Sequence, residues 1–188
     1  MSESVSLREE LAVLRARCER LERLAQVSRV LHSTLDPQEA LRLILRETVR
    51  LTGANSGSVA LINPTTGFLD ILAAHGLPPH AEQLKLRVGE GVTGSVALTG
   101  RPARVGDVTR DPRYIMLRPH VRSELAVPLR VDDQVRGVLN VDADREDAFG
   151  EDDQRLLEEL AGQASEVIRN TWLFEQLRLK ARLFEALV

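Results

Sequence analysis

Three glycines at positions 89, 91 and 94 have the spacing Gly-x-Gly-x-x-Gly of a dinucleotide-binding loop. In such a loop the backbone approaches a phosphate closely, and the N-terminus of the following helix favours its negative charge. Here no lysine follows Gly94, as a Walker loop would require, and Glu90 places a negative charge where a pyrophosphate would lie. We therefore interpret the stretch as a glycine-assisted turn that begins a helix over residues 92–99. An anionic ligand facing this helix end is the lesser alternative.

The other reactive residue types do not form a catalytic set. Ser123 stands before the carboxylate of Glu124, but the surrounding sequence is not the nucleophile elbow of a hydrolase. Acid pairs at residues 132–133 and 152–153 fit a turn and a helix start. The single cysteine, Cys18, cannot form an intrachain disulfide framework or a cysteine-based zinc site. We predict no catalysis, no metal site and no cofactor.

The segments around these residues predict a sheet built from hairpins. Alternating and continuous apolar runs separated by Pro, Gly and Asp turns are typical of paired strands. Hairpins pair their strands antiparallel, so the fold class is α+β with a central antiparallel sheet of about five or six strands, and not a Rossmann-like sheet. The predicted strands lie at residues 58–63, 68–76, 84–88, 103–108, 124–131 and 134–142.

Helix signals and one proline refine this pattern. Asp36 as N-cap and Pro37 at the first helical position begin a helix that Gly53 ends. A further helical turn is predicted to begin at Asp111-Pro112. Pro128 cannot donate to a strand ladder, so it predicts an edge or bulged position within its strand.

Both ends of the chain predict long helices. Leu7, Leu11, Leu14, Cys18 and Leu21 follow a heptad, which is typical of a coiled coil. Residues 151–188 contain no proline and begin with three acidic residues, which the helix dipole favours. A heptad-like seam runs through this second helix at Leu160, Ala164, Val167, Thr171 and Phe174.

The exposed seams suggest an organisation in three parts. We expect a coiled-coil helix over residues 1–31, a globular domain over 32–150, and a helix over 151–188 that packs on the domain and then leaves it. Burying the seams requires a second copy of the chain, so we expect a parallel homodimer through both terminal helices. The last helix ends in mid-pattern, which suggests a piece of a longer protein with an output domain beyond residue 188.

Composition limits the function classes. The chain has 188 residues, 43% of them hydrophobic and 28% charged, with a formal net charge of −3. This charge disfavours direct nucleic-acid binding, which usually needs a basic surface. No apolar run approaches the ~20 residues of a membrane span, and the N-terminus has no apolar signal region. We expect a cytoplasmic protein with neither a nucleic acid nor a membrane as partner.

The ordered segments resemble a GAF domain over roughly residues 24–172. The stretches LRVGEGVTGSVALTGRPARVGDVTRDPRY and SELAVPLRVDDQVRGVLNVDADREDAFGEDDQRLLEELAGQASEVIRN carry the resemblance. It implies a sheet with a ligand pocket on one face and the terminal helices on the other. It also implies a sensory domain that binds a small molecule and signals through a dimeric coil to a kinase, cyclase, phosphodiesterase or transcription factor.

In this family the segment between Asp107 and Glu124 lines or covers the pocket, so the resemblance places the candidate ligand contacts there. Arginines could pair with a carboxylate or phosphate, and Tyr114 and Met116 could contact an apolar or aromatic ligand. His120 could act as a hydrogen-bond partner or, less favoured, as a haem or metal ligand. Asp107 could either accept from a ligand amine or cap the next turn. The candidates are Asp107, Arg113, Tyr114, Met116, Arg118, His120, Ser123 and Glu124.

The known ligand classes of the family match only in part. Cyclic-nucleotide-binding members carry Asn-Lys and Phe-x3-Asp-Glu, but here Val141 follows Asn140 and Gln154 replaces the glutamate. Covalent bilin attachment needs a cysteine within the domain. Free methionine sulfoxide reductases of this fold need several cysteines. We therefore predict a regulatory sensor in two-component or cyclic-nucleotide signalling, with its ligand unknown. The alternatives are a dimerisation module with a vestigial pocket and, less favoured, a reductase-like enzyme.

Overall fold

The computed structural model describes residues 13–15, 18, 36–83 and 85–185, and of residues 80, 82 and 173–185 only the backbone. The chain forms two compact units, residues 1–35 and 36–188. In the first unit, residues 13–15 and 18 are helical and exposed, and Cys18 is a free thiol. Of the predicted N-terminal seam, Leu14 and Cys18 are described, and Leu7, Leu11 and Leu21 lie outside the described residues.

Six strands form one antiparallel sheet with the order β3-β2-β1-β6-β5-β4. The two predicted hairpins, β1–β2 and β5–β6, are confirmed and are joined through the pairing of β1 with β6. Asp132 and Asp133 form the turn of the second hairpin with φ of 50° and 60°, the left-handed values that a two-residue type I′ turn requires. The strands are β1 Ser56–Ile62, β2 Phe68–His75, β3 Leu86–Arg87, β4 Ala103–Val105, β5 Ser123–Val131 and β6 Gln134–Ala143.

Three α-helices belong to the same unit: α1 Pro37–Thr52, α2 Gly91–Thr99 and α3 Glu151–Glu185. The predicted start and end of α1 are confirmed, because Asp36 accepts a hydrogen bond from the Gln38 amide at 2.9 Å and Gly53 adopts φ 63°. Gly100 likewise ends α2 with φ 64°. None of the described helices is long and apolar enough to cross a membrane.

The two faces of the sheet bury different cores. On one face, Val92 and Val96 of α2 pack with Ala60, Ala126 and Val138 of the strands. The other face carries α1 and α3, and a Cβ placed on Gly57 of β1 would lie 3.2 Å from Leu45 of α1. The prediction of an α+β fold with helices on both faces of an antiparallel sheet is thus confirmed.

Helix α3 continues for 35 residues, as its lack of proline predicted. Leu160 and Ala164, two members of the predicted dimer seam, are fully buried within the domain, as is Leu157, and Ile168 is buried. Since α3 packs on β5, this part of the seam faces the chain's own sheet. Among the described side chains of α3, burial ends at Ile168, and the helix backbone continues to Glu185.

A turn begins at Asp111-Pro112 as predicted, because the Tyr114 amide donates to the Asp111 carbonyl at 3.0 Å. A separate 3-10 turn precedes it over Val108–Arg110, and the Asp107 carboxylate caps that turn by accepting from the Thr109 amide at 3.1 Å. Pro128 lies in β5, which has neighbours on both sides, but β4 pairs only with Glu124 to Ala126. Pro128 therefore stands beyond the end of that pairing, beside the irregularity at Leu129/Arg130.

Candidate functional site

A small cavity lies on the α2 face of the sheet, under residues 106–122, which join β4 to β5 and which we call the covering segment. Its volume is about 30 Å³, room for one or two water molecules, where a pocket for a drug-sized ligand has roughly 300–1,000 Å³. It is lined by Leu86, Gly91, Val92, Thr93, Tyr114, Ile115, Leu117, Arg118, Val121, Glu124, Asn140 and Asp142. We call this cavity and its polar lining the acidic pocket.

The floor of the acidic pocket is a pair of cross-strand polar contacts. The Ser56 hydroxyl donates to the Asp142 carboxylate, and the Ser58 hydroxyl donates to the Asn140 side-chain oxygen, both at 2.5 Å. Each serine of β1 stands directly opposite its partner on β6, so the strand register fixes both contacts. All four residues are buried.

Glu124 adds a second carboxylate on the neighbouring strand. It stands opposite Asp142 in the register of β5 and β6 and is only 6% exposed. It accepts a hydrogen bond of 3.0 Å from the hydroxyl of Thr93 in the first turn of α2. Burial, with the negative charge of Asp142 also contributing, raises the pKa of Glu124 to about 7. The acidic group beside the start of α2 is therefore the protein's own carboxyl group.

Arg118 brings a cation into this acidic surrounding. Its guanidinium donates to Asp142 at 2.7 Å, to Asp144 at 2.6 Å and to the Ser56 hydroxyl at 3.0 Å, and its side chain is 17% exposed. The bonds to both aspartates raise the pKa of Arg118 further above its ordinary value, so it stays charged. Arg118 is the one candidate from the sequence that forms ion pairs inside the acidic pocket.

Tyr114 also lines the acidic pocket and is half-buried. Burial raises the pKa of Tyr114 to about 12, and the nearby Glu124 and Asp142 add to the effect. Together with Ile115 and Leu117 it forms the cover of the cavity. The covering segment thus closes the acidic pocket in this conformation.

Asp107 and Arg113 lie elsewhere, in an open surface groove of about 530 Å³ beside β4. Asp107 caps the 3-10 turn and pairs with Arg110 at 3.1 Å. Arg113 pairs with Asp111 at 2.6 Å. The charges of this groove are therefore largely matched within the covering segment.

The remaining three candidates do not line the acidic pocket. Met116 is 71% exposed. His120 is exposed in a turn with φ 73°. Ser123 is buried, and its hydroxyl donates to the Arg145 carbonyl at 2.8 Å, which ties the start of β5 to the loop after β6.

Five polar residues of the acidic pocket were not among the candidates from the sequence: Ser56, Ser58, Thr93, Asn140 and Asp142. A signal was present in β6, where Asn140 and Asp142 alternate with Leu139, Val141 and Ala143. Alternate residues of a strand share a face, so two polar residues in an otherwise apolar strand predict a polar patch. The pairing of β1 with β6 decides which face of the sheet they occupy and places serines opposite them.

The glycines at 89, 91 and 94 form the tight turn that their spacing predicted. Gly89 and Gly91 have φ of 95° and 72°, and a Cβ on Gly94 would lie 2.4 Å from the Arg87 carbonyl oxygen. The Glu90 carboxylate accepts from the Arg87 amide at 3.0 Å and so closes the turn. In the described part of the chain, no group of three or more His, Cys, Asp or Glu is placed to hold a metal.

Comparison with known proteins agrees with this architecture. The Nif-specific regulatory protein of Azospirillum lipoferum is 34% identical over 125 residues, 62% of this chain and 20% of that protein. The chain thus spans about a fifth of that relative's length.

Solved structures share the fold. The GAF domain from an Acinetobacter phosphoenolpyruvate-protein phosphotransferase superposes with a TM-score of 0.76 at 21% identity, covering 84% of this chain and 98% of that one. The free methionine-R-sulfoxide reductase from Neisseria meningitidis, in complex with its substrate, gives 0.71 at 26% identity, covering 81% and 91%. The family model of the GAF domain matches residues 34–169, which is most of the chain. The protein therefore belongs to the GAF domain family.

Proposed function

We propose that this GAF domain is a regulatory sensor that binds a small molecule in the acidic pocket and passes the signal to an output through α3. The buried polar floor carries this proposal. Asn140, Asp142 and Glu124 occupy one face of two central strands, where a purely structural core would be apolar. Because buried carboxyl groups cost stability, their retention in a cavity is typical of a functional site.

The loop between β6 and α3 supplies a physical path for the signal. Residues 144–150 of this loop contact the covering segment at several points. Asp144 pairs with Arg118, Glu146 pairs with Arg122, and the Asp147 amide donates to the Gly106 carbonyl at 2.9 Å. A ligand that moves the covering segment would therefore also displace the loop that begins α3.

We further propose that the terminal helices form a parallel homodimer and lead to an output domain outside residues 1–188. Support comes from the heptads at both ends of the sequence and from α3, whose backbone continues well past its last described buried side chain. The likeness to a Nif-specific regulatory protein supports a regulatory output.

A dimerisation module with a vestigial pocket is the second candidate. The observation in its favour is the small cavity, which Tyr114 and Leu117 help to close. Against it stand Glu124 and Asp142, because side chains that merely fill a vestigial pocket would not need two buried carboxyl groups opposite each other.

A reductase is disfavoured, although a free methionine-R-sulfoxide reductase shares the fold. Thiol-dependent reduction needs a cysteine at the substrate, and residues 36–188 contain none. The single cysteine, Cys18, belongs to the first compact unit.

The sensor proposal is tested by ligand screening against matched variants. Thermal unfolding of the full chain is followed with a metabolite panel of nucleotides, amino acids, amines and organic acids. The pocket variant is Glu124→Gln/Asp142→Asn, which keeps side-chain shape and removes both charges. The control is Asp133→Asn in the exposed β5–β6 turn. We expect at least one compound to raise the Tm of the wild type and the control but not of the pocket variant.

Two outcomes contradict the sensor proposal. Either no compound in the panel shifts the wild-type Tm, or every active compound shifts the pocket variant equally. The vestigial-pocket alternative predicts one of these two results.

A further inference from the structure

Arg118 reaches the acidic pocket from a different part of the fold than its acceptors do. Ser56 and Asp142 lie on the central strands β1 and β6 and are bonded to each other independently of Arg118. Arg118 belongs to the covering segment, which is not part of the sheet. Two of the acceptors are therefore part of the sheet, and the cation belongs to a segment outside it.

Backbone hydrogen bonds join the two ends of the covering segment to each other and join its C-terminal end to β6. The Val108 amide donates to the Arg122 carbonyl, and the Arg122 amide donates to the Ala143 carbonyl, both at 2.8 Å. Between these points the Arg118 side chain makes ion pairs to Asp142 and Asp144. Breaking these ion pairs would therefore remove the charged contacts of the middle of the segment, and leave the Arg113 bond to the Ser95 hydroxyl at 3.4 Å and the packing of Tyr114 against the core.

A ligand that enters without a positive charge would leave the acidic pocket in an unfavourable state. It would displace Arg118 and leave the Asp142 carboxylate buried, opposite Glu124, with no cation. A buried carboxylate without a partner costs far more than a paired one. A ligand that carries its own cationic N–H donors avoids this cost.

We propose that Arg118 is an internal occupant of a cation-binding subsite, and that the sensed ligand is a compact cation with several N–H donors, a guanidinium or a primary ammonium, which replaces it. This inference rests on the proposed sensor function and names its ligand class. The subsite consists of Asp142, the Ser56 hydroxyl and Asp144, the three acceptors that Arg118 uses. Replacement removes the ion pairs of Arg118. The covering segment thereby loses its contact with Asp144 in the loop that begins α3.

The test removes the internal occupant and supplies a substitute in solution. In Arg118→Ala the subsite is vacated, and methylguanidinium chloride is added to the full chain while thermal unfolding is measured. N-methylurea, which has a similar shape and no charge, and sodium chloride at equal ionic strength are the reference additives. The matched variant is Arg155→Ala, whose guanidinium is exposed and, among the described residues, pairs with the helix-surface acids Glu151 and Asp152 at 3.4 Å.

Methylguanidinium should raise the Tm of Arg118→Ala saturably, by about 3–6 °C once its free concentration exceeds Kd tenfold. It should not do so for Arg155→Ala, and N-methylurea should have no such effect on either. Adding Asp142→Asn to Arg118→Ala should abolish the gain. If Arg118→Ala does not fold, Arg118→Gln serves in its place, because it is neutral and retains most of the side-chain length.

An equal response of Arg118→Ala and Arg155→Ala, or equal effects of methylguanidinium and N-methylurea, would overturn the cation subsite. That failure differs from failure of the sensor proposal. A neutral or anionic compound found in the screen, inactive on Glu124→Gln/Asp142→Asn, would uphold sensing in this pocket while refuting the cation class.

Discussion

The carboxyl group of Glu124 lies almost wholly out of water and directly opposite a second carboxyl group, Asp142. Removal from water is the main cause that raises its pKa from the ordinary 4.5 to about 7. Asp142 and Asp111 also raise the pKa, whereas the hydrogen bond from Thr93 and the charge of Arg113 lower it. Glu124 therefore changes charge near neutral pH inside the pocket that we propose to bind the ligand.

The raised pKa predicts how stability depends on pH. Between pH 4.5 and about 7, the folded protein holds a proton on Glu124 that the unfolded chain has lost, so the free energy of unfolding falls as pH rises through this window. Glu124→Gln removes this dependence. We expect the variant to be more stable than the wild type at pH 8 by on the order of 2 kcal/mol, with a much smaller difference near pH 4.5.

Urea unfolding of both proteins from pH 4.5 to pH 8 measures this difference. The exposed Glu158→Gln on α3 is the control, and its difference from the wild type should vary little across the range. A constant difference between Glu124→Gln and the wild type would show that the Glu124 carboxyl group titrates as in water.

At the scale of elements, the turn before α2 depends on the absence of a side chain at Gly94. Any Cβ there would lie 2.4 Å from the Arg87 carbonyl oxygen, which belongs to the backbone and cannot rotate away. Gly94→Ala should therefore destabilise the domain by about 2 kcal/mol or more, despite the better helix propensity of alanine. The change should also disturb Thr93 and hence its bond to Glu124.

Gly162→Ala is the matched control for this prediction. Gly162 lies within α3, and a Cβ there meets nothing within 4 Å. Its replacement should therefore stabilise the protein by about 0.5–1 kcal/mol. Chemical denaturation of the two variants measures the sign of each change in the free energy of unfolding. A Gly94→Ala variant as stable as the wild type would refute the close approach of residue 94 to the Arg87 carbonyl oxygen.

The elements of this domain were largely predictable because their signals are local. The Asp36 cap, the Gly53 and Gly100 ends and the Asp132-Asp133 turn each act through residues adjacent in sequence. The acidic pocket was predictable only in part, at Tyr114, Arg118 and Glu124. Its floor depends on pairing Ser56 with Asp142 across 86 positions of the chain, and no local pattern encodes such a pairing.

The seam of α3 illustrates the same limit. A heptad shows that a helix has an apolar stripe but not what covers the stripe. Leu160 and Ala164 belong to the predicted dimer seam, yet the domain's own sheet buries them. Up to Ile168 the domain therefore occupies the apolar stripe of α3, which leaves the exposed face of the helix there, including Glu166, for the proposed partner helix.

At the scale of the whole molecule, the acidic pocket and α3 occupy opposite faces of one sheet and are joined by a short loop. Asp144 and Glu146 of that loop pair with Arg118 and Arg122 of the covering segment. In our account, the covering segment has two arrangements, closed by Arg118 or opened by a ligand. The loop passes this difference to α3 and so to its dimer partner.

Cross-linking between the α3 helices tests this central claim most directly. In a Cys18→Ser background, Glu166→Cys and Asn170→Cys are introduced separately on exposed positions of α3, and the yield of interchain disulfide is measured. We predict cross-linked dimers, and a ratio of the two yields that changes when Arg118→Ala is added and stays changed with methylguanidinium, which fills the subsite without tethering the covering segment. Cross-linking in neither variant, or one ratio under all three conditions, would contradict a dimeric helix coupled to the acidic pocket.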